Sequence, residues 1–288
     1  MFILITGLLL GGTYALIALG LNLQYGVARI MNLANGELLV AGGFAAFWAY
    51  TAAQVSPVAA LLLVAPIAFA VNWLIYRLML QPLVSRAKSR GALEVDSILA
   101  TFGMSFALVG IMTALFGGGY FNYAYLAQPV DIFGSSYAQN RLVAFLLAAL
   151  IGIGLWLWLS YTRAGLRLRA LAVNPASARL VGIDTRAASA QAFALGGAVT
   201  AVGGALISMF FTLDASVGVL FTMKALIIVI MGGVGDIRGT IVAAMILGIC
   251  ETAVARLIDP GLTLAAAYVL FLGILLFRPQ GLFGKKPT

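Results

Sequence analysis

The sequence contains no histidine and a single cysteine, Cys250. One cysteine cannot form an internal disulfide, and without histidine the chain lacks the commonest zinc ligand and the commonest general base. It also lacks a Gly-rich phosphate-binding loop of the P-loop form. We therefore predict that the chain is not an enzyme, that it holds no metal or cofactor, and that another subunit would supply any ATP hydrolysis.

Charged residues are scarce as well. They make up 9% of the 288 residues, whereas 63% are hydrophobic and the mean hydropathy is +1.08. In a soluble domain about a quarter of the residues are charged. The composition therefore predicts one polytopic membrane domain, residues 1–288. Membrane topology explains the net charge of +8 better than a nucleic-acid partner does.

Nine apolar segments follow one another along the chain, which predicts an all-α fold with eight or nine membrane-crossing helices, some of them broken by glycines. The seventh is too short to cross a hydrocarbon core of about 30 Å as a straight helix, so we expect it to be half-helical or re-entrant. The nine segments are residues 2–23, 37–54, 58–77, 97–116, 142–160, 187–211, 223–235, 240–257 and 262–277.

The distribution of lysine and arginine predicts the orientation, because these residues collect in cytoplasmic loops. With the N-terminus outside and nine segments alternating, Arg141, Lys224 and Arg256 are the only members of the 17 cations on the outer side. The other 14 fall inside, and they include Lys88, Lys285 and Lys286. We therefore predict that the N-terminus is outside, the C-terminus inside and the loop at residues 117–141 external.

Polar residues separate the first two apolar segments in the stretch YGVARIMNLANGE, which contains Arg29, Asn32, Asn35 and Glu37. One interpretation is a cytoplasmic hairpin in which Asn35 caps the next helix and Glu37 lies in its first turn. The other is that the amides and Glu37 line or gate a polar pathway, since irregular backbone at membrane depth survives only where protein or water satisfies it. The sequence leaves both open.

A second interruption lies in MGGVGDIRG, residues 231–239. Both interruptions follow an apolar run and precede a helix, and paired broken helices in corresponding positions indicate a transport site. We therefore add this break to the candidate substrate pathway. Its residues are Gly232, Gly233, Gly235 and Asp236, with Asn22 in the first apolar segment as a further candidate.

Glu251 is a charged residue within an apolar segment. Because a charge at the bilayer centre costs about 2.5 to 3.5 kcal/mol on insertion scales, this carboxylate should face the bundle interior or a cavity. Arg256, five residues further on, is a candidate partner near the outer end. A structural ion pair and a pathway residue are equally compatible with the sequence.

The basic loop, residues 161–186, contains five arginines and one acid, with apolar residues between them. Asn174 suits the cap of a helix, Pro175 its first position and Gly182 the position just past its end. These residues predict a helix of about two turns between two spans. Attachment to anionic membrane lipid is one interpretation, and docking onto a cytoplasmic partner is the other.

Four motifs occur in order along the chain: GTYALIALGLNLQYGVARIMNLANGELLVAGGF, RALAVNPASARLVGID, MGGVGDIRGTIVAAMILGICE and LFRPQGLFGKK. In this order they resemble the LivH-type permeases of branched-chain amino acid ABC transporters, over nearly the whole chain. The resemblance implies a bacterial inner-membrane permease that imports branched-chain amino acids. It implies four kinds of partner: a second related permease, two cytoplasmic ATPases that bind ATP and Mg²⁺, a periplasmic amino-acid-binding protein, and membrane lipid.

The resemblance also implies roles for particular residues. It places the break at residues 232–236 and the stretch around Asn32, Asn35 and Glu37 near the translocation path. It places the basic loop in the ATPase surface, and the coupling candidates there are Arg169, Asn174, Pro175, Ala178, Arg179 and Gly182.

The sequence departs from the family pattern in two places. Leu33 and Asn35 stand where the family usually has phenylalanine and histidine, and the coupling pattern is matched only in part around Ala178 and Gly182. The solute therefore stays open between branched-chain and other amino acids, urea or a short amide. An ion-coupled carrier or channel that uses Glu251 is a further alternative, in which this chain would transport without an ATPase.

Overall fold

The computed structural model describes residues 1–87, 89–132 and 134–284. Lys88, Lys285 and Lys286, which the charge distribution assigns to the inner side, lie outside these ranges. The helices are α1 (Phe2–Gly26), α2 (Asn35–Thr51), α3 (Pro57–Ile75), α4 (Gln81–Arg86), α5 (Arg90–Phe116), α6 (Gln139–Tyr161), α7 (Arg163–Val173), α8 (Pro175–Leu180), α9 (Thr185–Ile207), α10 (Gly218–Gly232), α11 (Ile237–Leu257) and α12 (Thr263–Phe277). A π-helical turn, Tyr76–Leu80, joins α3 to α4, and a 3-10 turn, Pro260–Leu262, precedes α12.

Each of the nine predicted apolar segments forms a helix, and the all-α prediction is confirmed. In the part of the chain that the structure describes, seven helical stretches are long and apolar enough to cross a membrane. The other two apolar helices are short: α2 has 17 residues and α10 has 15. At about 1.5 Å per residue α10 is only about 22 Å long. This length is shorter than a hydrocarbon core of about 30 Å, in agreement with the expectation that α10 does not cross the membrane as a straight helix.

Helices α1 and α9 form the centre of the bundle. Helix α1 packs against α9, α11 and α6, and α9 packs against α2 and α3. Glycines allow this close approach: a Cβ atom at Gly11 would lie 2.8 Å from the Ala244 carbonyl oxygen of α11. Lipid provides no hydrophobic drive for helix association, so this backbone proximity supplies the packing energy instead.

The chain between α1 and α2 does not form a surface hairpin. Asn35 accepts a hydrogen bond from Thr200 of α9 at 2.9 Å, and Thr200 also packs against Gly20 of α1. Helix α2 thus begins beside Gly20, about 9 Å before the end of α1 at Gly26. The connecting residues 27–34, here called the re-entrant segment, return into the protein.

Asn35 also differs from its predicted role as a helix cap. Ala34 occupies the cap position, and none of the described side chains caps the helix there. The capping interpretation is therefore wrong: the Asn35 side chain is used in a bond to another helix, which the sequence does not reveal.

An ordered loop joins α5 to α6. Strands β1 (Pro129–Ile132) and β2 (Ser135–Ala138) pair antiparallel, and Phe121 bridges to Leu213. Tyr123 lies 2.8 Å from the Ser208 hydroxyl, and burial raises the pKa of Tyr123 to about 12, so its phenol stays protonated. Tyr120 is exposed, in line with an interfacial position, whereas Tyr123 packs inward against Tyr50.

Candidate functional site

Asn22 of α1 bonds to the second interruption and to the first turn of α11. Its amide nitrogen donates to the Asp236 carbonyl oxygen at 3.1 Å and to the Thr240 hydroxyl at 2.9 Å. Its amide oxygen accepts from the Gly235 N–H at 2.7 Å. The structure therefore brings Asn22, Gly235 and Asp236 together, as their common assignment to one pathway requires.

The glycine break after α10 has a defined structural use. Gly233 and Gly235 adopt φ values of 103° and 85°, which strongly favour glycine. Gly232 packs against Gly239, and the Gly232 carbonyl accepts a hydrogen bond from the Phe283 N–H at 3.3 Å. The Asp236 carboxylate caps α11 through the Gly239 N–H at 2.8 Å. The glycine break therefore reverses the chain between α10 and α11, and the C-terminal segment around Phe283 packs against it.

Side chains from three helices hold the re-entrant segment. Asn32 donates to the Gln24 amide oxygen of α1 at 2.9 Å, and Thr101 of α5 accepts from the Leu33 N–H at 3.1 Å. Thr222 of α10 donates to the Leu33 carbonyl at 3.3 Å. Inside a helix bundle, backbone N–H and C=O groups that are not part of a helix need side chains such as these as hydrogen-bond partners.

The first turns of α2 and α10 meet at the end of this segment. The Thr222 hydroxyl accepts from the Gly36 N–H at 2.8 Å. A Cβ at Gly218 would lie 2.8 Å from the Gly36 carbonyl carbon, so the two backbones are in direct contact. Two helix N-termini, which carry the positive ends of the helix dipoles, therefore converge inside the bundle.

Glu37 lies in the first turn of α2, next to this convergence, and is fully buried. Its Oε1 atom accepts from the Ser105 hydroxyl of α5 at 2.8 Å. Among the described residues no group bonds to its Oε2 atom or to the Asn35 amide nitrogen. Asn35 and Glu37 thus each keep one polar atom in the core of the bundle that has no hydrogen-bond partner among the described residues.

The predicted helix of the basic loop is confirmed. Asn174 accepts from the Ala176 and Ser177 N–H groups at 3.0 and 3.1 Å, Pro175 begins α8, and Gly182 follows its end with φ 77°. A second helix in the loop, α7, was not predicted. Its signals were present: Thr162 caps it, and Leu168 and Leu171 form a buried stripe three residues apart.

The coupling candidates do not all face outward. Ala178 is buried, Arg179 bonds to the Thr185 hydroxyl at 3.2 Å, and Arg169 donates to the Ser160 carbonyl at 2.8 Å. Leu180 and Val181, two adjacent apolar residues at the end of α8, are instead highly exposed, with 88% and 75% of their surfaces accessible. An apolar tip within a basic loop is the surface expected for a protein contact.

Two cavities lie between the interruptions and the basic loop. One, of about 290 Å³, is lined by Asn22, Gly235 and Asp236 together with Arg169. The other, of about 730 Å³, is lined by Asn174, Pro175 and Arg179 together with Arg29. The basic loop and the two interruptions therefore lie on the same side of the bundle.

Arg29 provides a direct bond between them. Its guanidinium donates to the Ala172 carbonyl at the end of α7 at 3.1 Å. Arg29 has φ 58°, a conformation that is unfavourable for a residue with a side chain. The bond and the backbone conformation together fix the start of the re-entrant segment against the basic loop.

Glu251 pairs with Lys224 and not with Arg256. The Lys224 ammonium lies 2.8 Å from Glu251 Oε2, and the Tyr14 hydroxyl donates to the same oxygen at 2.9 Å. Arg256 lies 4.2 Å above the Phe2 ring. The predicted Arg256 partner is wrong because five residues of α-helix turn the chain through about 140°, net of a full turn, so the two side chains face different directions.

Comparison with known proteins identifies the family. A family model described as "branched-chain amino acid transport system / permease component" matches residues 3–278. The chain belongs to this family of permeases. The resemblance to branched-chain amino acid permeases that the four motifs indicated is therefore confirmed.

Relatives of the permease extend over almost its whole length. It is 28% identical to the high-affinity branched-chain amino acid permease protein LivH of Salmonella typhimurium, over 97% of this chain and 94% of the relative. It is 29% identical to BraD of Pseudomonas aeruginosa, over 98% and 95%. The ribose import permease protein RbsC of Haemophilus influenzae is 26% identical over 83% of this chain and 73% of that protein.

A solved structure has a similar fold. PsaBC from Streptococcus pneumoniae in complex with Fab superimposes with a TM-score of 0.52 at 11% identity, over 98% of the permease and 94% of that chain. At this identity the likeness concerns the fold alone.

Proposed function

We propose that this chain is the membrane-spanning permease subunit of an ATP-driven importer for branched-chain amino acids. The observation that carries the proposal is the family match over residues 3–278. LivH and BraD, whose names state this substrate, cover a larger share of the permease than the ribose permease does. The chain would supply half of the translocation pathway, and a second related permease the other half.

Coupling to ATP hydrolysis would use the basic loop. Its apolar tip, Leu180 and Val181, would seat against a cytoplasmic ATPase, one of two that bind ATP and Mg²⁺. Movement of α7 and α8 would reach the re-entrant segment through the Arg29–Ala172 bond. A shift of this segment would change the contact between α2 and α10, where Glu37 lies, and so open the pathway alternately to either side.

The predicted topology fits this arrangement. The inner membrane would hold the chain with its N-terminus outside and its C-terminus and basic loop inside, where the ATPases are. A periplasmic amino-acid-binding protein would deliver the substrate to the outer face.

Reconstitution tests the proposed function. Proteoliposomes would contain the chain, its second permease and the ATPases, with the binding protein added on one side and Mg-ATP on the other. We expect accumulation of radiolabelled L-leucine that requires both ATP and the binding protein. Equal leucine flux through liposomes that contain this chain without ATPases would instead support an ion-coupled carrier or a channel.

A further inference from the structure

A cavity of about 440 Å³ lies between α1, α10 and α11, at the end of the bundle where α6 and α12 begin. This is the outer end in the predicted topology. Its volume is in the range of small-molecule sites. Its apolar walls include Leu9, Leu10, Phe210, Phe211, Leu220 and Leu264.

One side of this outer cavity carries an ion pair. Tyr14, Lys224 and Glu251 all line it, and both donors bond to the same carboxylate oxygen, Oε2. Lys224 also donates to the Tyr14 hydroxyl at 2.8 Å. Arg141 lines the cavity too, with its guanidinium 5.7 Å from the centre of the Phe210 ring. The cavity therefore has two cations and one anion on a largely apolar surface.

The pairing is one-sided. Among the described residues no group bonds to Glu251 Oε1, a buried atom of a side chain that is only 4% exposed. Lys224 keeps 17% of its side-chain surface exposed, and its two bonds use two of the three N–H groups of an ammonium. A buried ion pair contributes little net stability even when it is fully satisfied, because both charges lose their hydration. This pair therefore has one acceptor atom and one donor N–H without a partner in the described part of the chain, and both of its residues line the cavity.

A ligand that carries both charges would complete this arrangement. We propose that the outer cavity binds aliphatic α-amino acids as zwitterions. The α-carboxylate pairs with the Lys224 ammonium, with Arg141 as a second cation, and the α-ammonium pairs with Glu251 Oε1. The aliphatic side chain packs against the leucine and phenylalanine walls. A neutral sugar would compensate neither charge.

This inference rests on the proposed function and adds to it a substrate site within this chain. Removing both charges together separates a binding role from a structural one, since a neutral pair leaves no buried unpaired charge. The test variant is Lys224→Met/Glu251→Gln, assembled with all partner subunits in proteoliposomes. We expect an unchanged thermal unfolding midpoint and at least a tenfold loss of ATP-driven L-leucine uptake. The control Arg256→Met, whose cation lies over Phe2 outside the cavity, should keep wild-type uptake.

A second variant leaves the charges in place. Leu220→Trp would fill the cavity from its half-exposed wall, and we expect the same loss of uptake with assembly retained. If the neutral-pair variant does not assemble, Leu220→Trp alone tests whether the outer cavity binds the substrate. The charge-exchanged variant Lys224→Glu/Glu251→Lys keeps an ion pair but reverses its direction, so uptake should stay low.

The outcomes are distinguishable. Uptake within twofold of wild type in the neutral pair or in Leu220→Trp overturns the inference, and so does recovery by the charge exchange. Wild-type proteoliposomes that accumulate no L-leucine with ATP and binding protein contradict the proposed function itself.

Discussion

The guanidinium of Arg29 donates a hydrogen bond to the carbonyl oxygen of Ala172 at 3.1 Å, and this bond joins the re-entrant segment to the loop helices α7 and α8. Helix α2 follows the re-entrant segment directly and meets α10 at the Gly36–Gly218 contact. A displacement of the basic loop therefore has a short covalent and hydrogen-bonded route to the place where the short helices α2 and α10 meet.

Arg29→Gly should separate ATP hydrolysis from transport. Glycine adopts φ 58° without strain, so assembly should be unchanged or slightly improved, while the bond to Ala172 is lost. We expect about a fivefold fall in leucine uptake with the ATPase activity of the complex retained. Gln54→Gly is the matched control, because Gln54 also has a positive φ, 55°, but is exposed between α2 and α3. Equal uptake in the two variants would exclude a coupling role for Arg29.

Glu37→Gln should lower uptake more than it lowers assembly. Glutamine keeps an acceptor for the Ser105 hydroxyl and nearly the same volume, so only the charge at the two helix N-termini is removed. We expect wild-type amounts of complex and at least a fivefold loss of uptake, measured on the same membranes. Normal uptake would mean that the carboxylate has only a local structural role.

Gly36→Ala should prevent α2 and α10 from meeting. The added Cβ would overlap the Gly218 carbonyl oxygen, a backbone atom that cannot move independently of α10. We expect a clear fall in the thermal unfolding midpoint of the complex. Gly110→Ala is the control, since no described atom lies within 4 Å of a Cβ at Gly110 in α5. A midpoint equal to that of the control would contradict the direct contact.

Gly182→Val should weaken the association with the ATPases. Gly182 has φ 77°, which a β-branched residue strongly disfavours, so the turn after α8 and the position of the apolar tip would change. No described atom lies within 4 Å of a Cβ at Gly182, so the cause is the backbone conformation and not a clash. We expect several-fold less ATPase in pull-downs with normal membrane insertion. Unchanged pull-down would place the contact elsewhere.

Much of the helical framework could be predicted from the sequence, because scarce charge and nine apolar runs leave helices as the way to satisfy backbone in lipid. Helix α8 could be predicted equally well, since Asn174, Pro175 and Gly182 are local sequence signals for the start and end of a helix. The depth in the bundle at which α2 begins could not be predicted from the sequence. It depends on Thr200 and Thr222, which are far away in the sequence and bond to Asn35 and to the Gly36 N–H.

The site was predictable to the same degree. Asn22, Gly235 and Asp236 were selected as polar or glycine residues inside apolar runs, and the structure brings them together. Gln24, Ser105 and Lys224 were missed, although each is also a polar residue within a helix. Which of them meet is decided by helix rotation and packing, and a single sequence carries little information on either.

ATP-driven transport through the basic loop is tested most directly by determining on which side of the membrane α8 lies and whether the ATPases cover it. Leu180→Cys in a Cys250→Ala background would be treated with a membrane-impermeant maleimide in right-side-out and inside-out vesicles, with Tyr120→Cys in the loop between α5 and α6 as the opposite control. We predict that Leu180→Cys reacts only in inside-out vesicles and is protected when the ATPases are bound, whereas Tyr120→Cys reacts only in right-side-out vesicles. Labelling of Leu180→Cys from the outside would contradict ATP-driven transport through the basic loop.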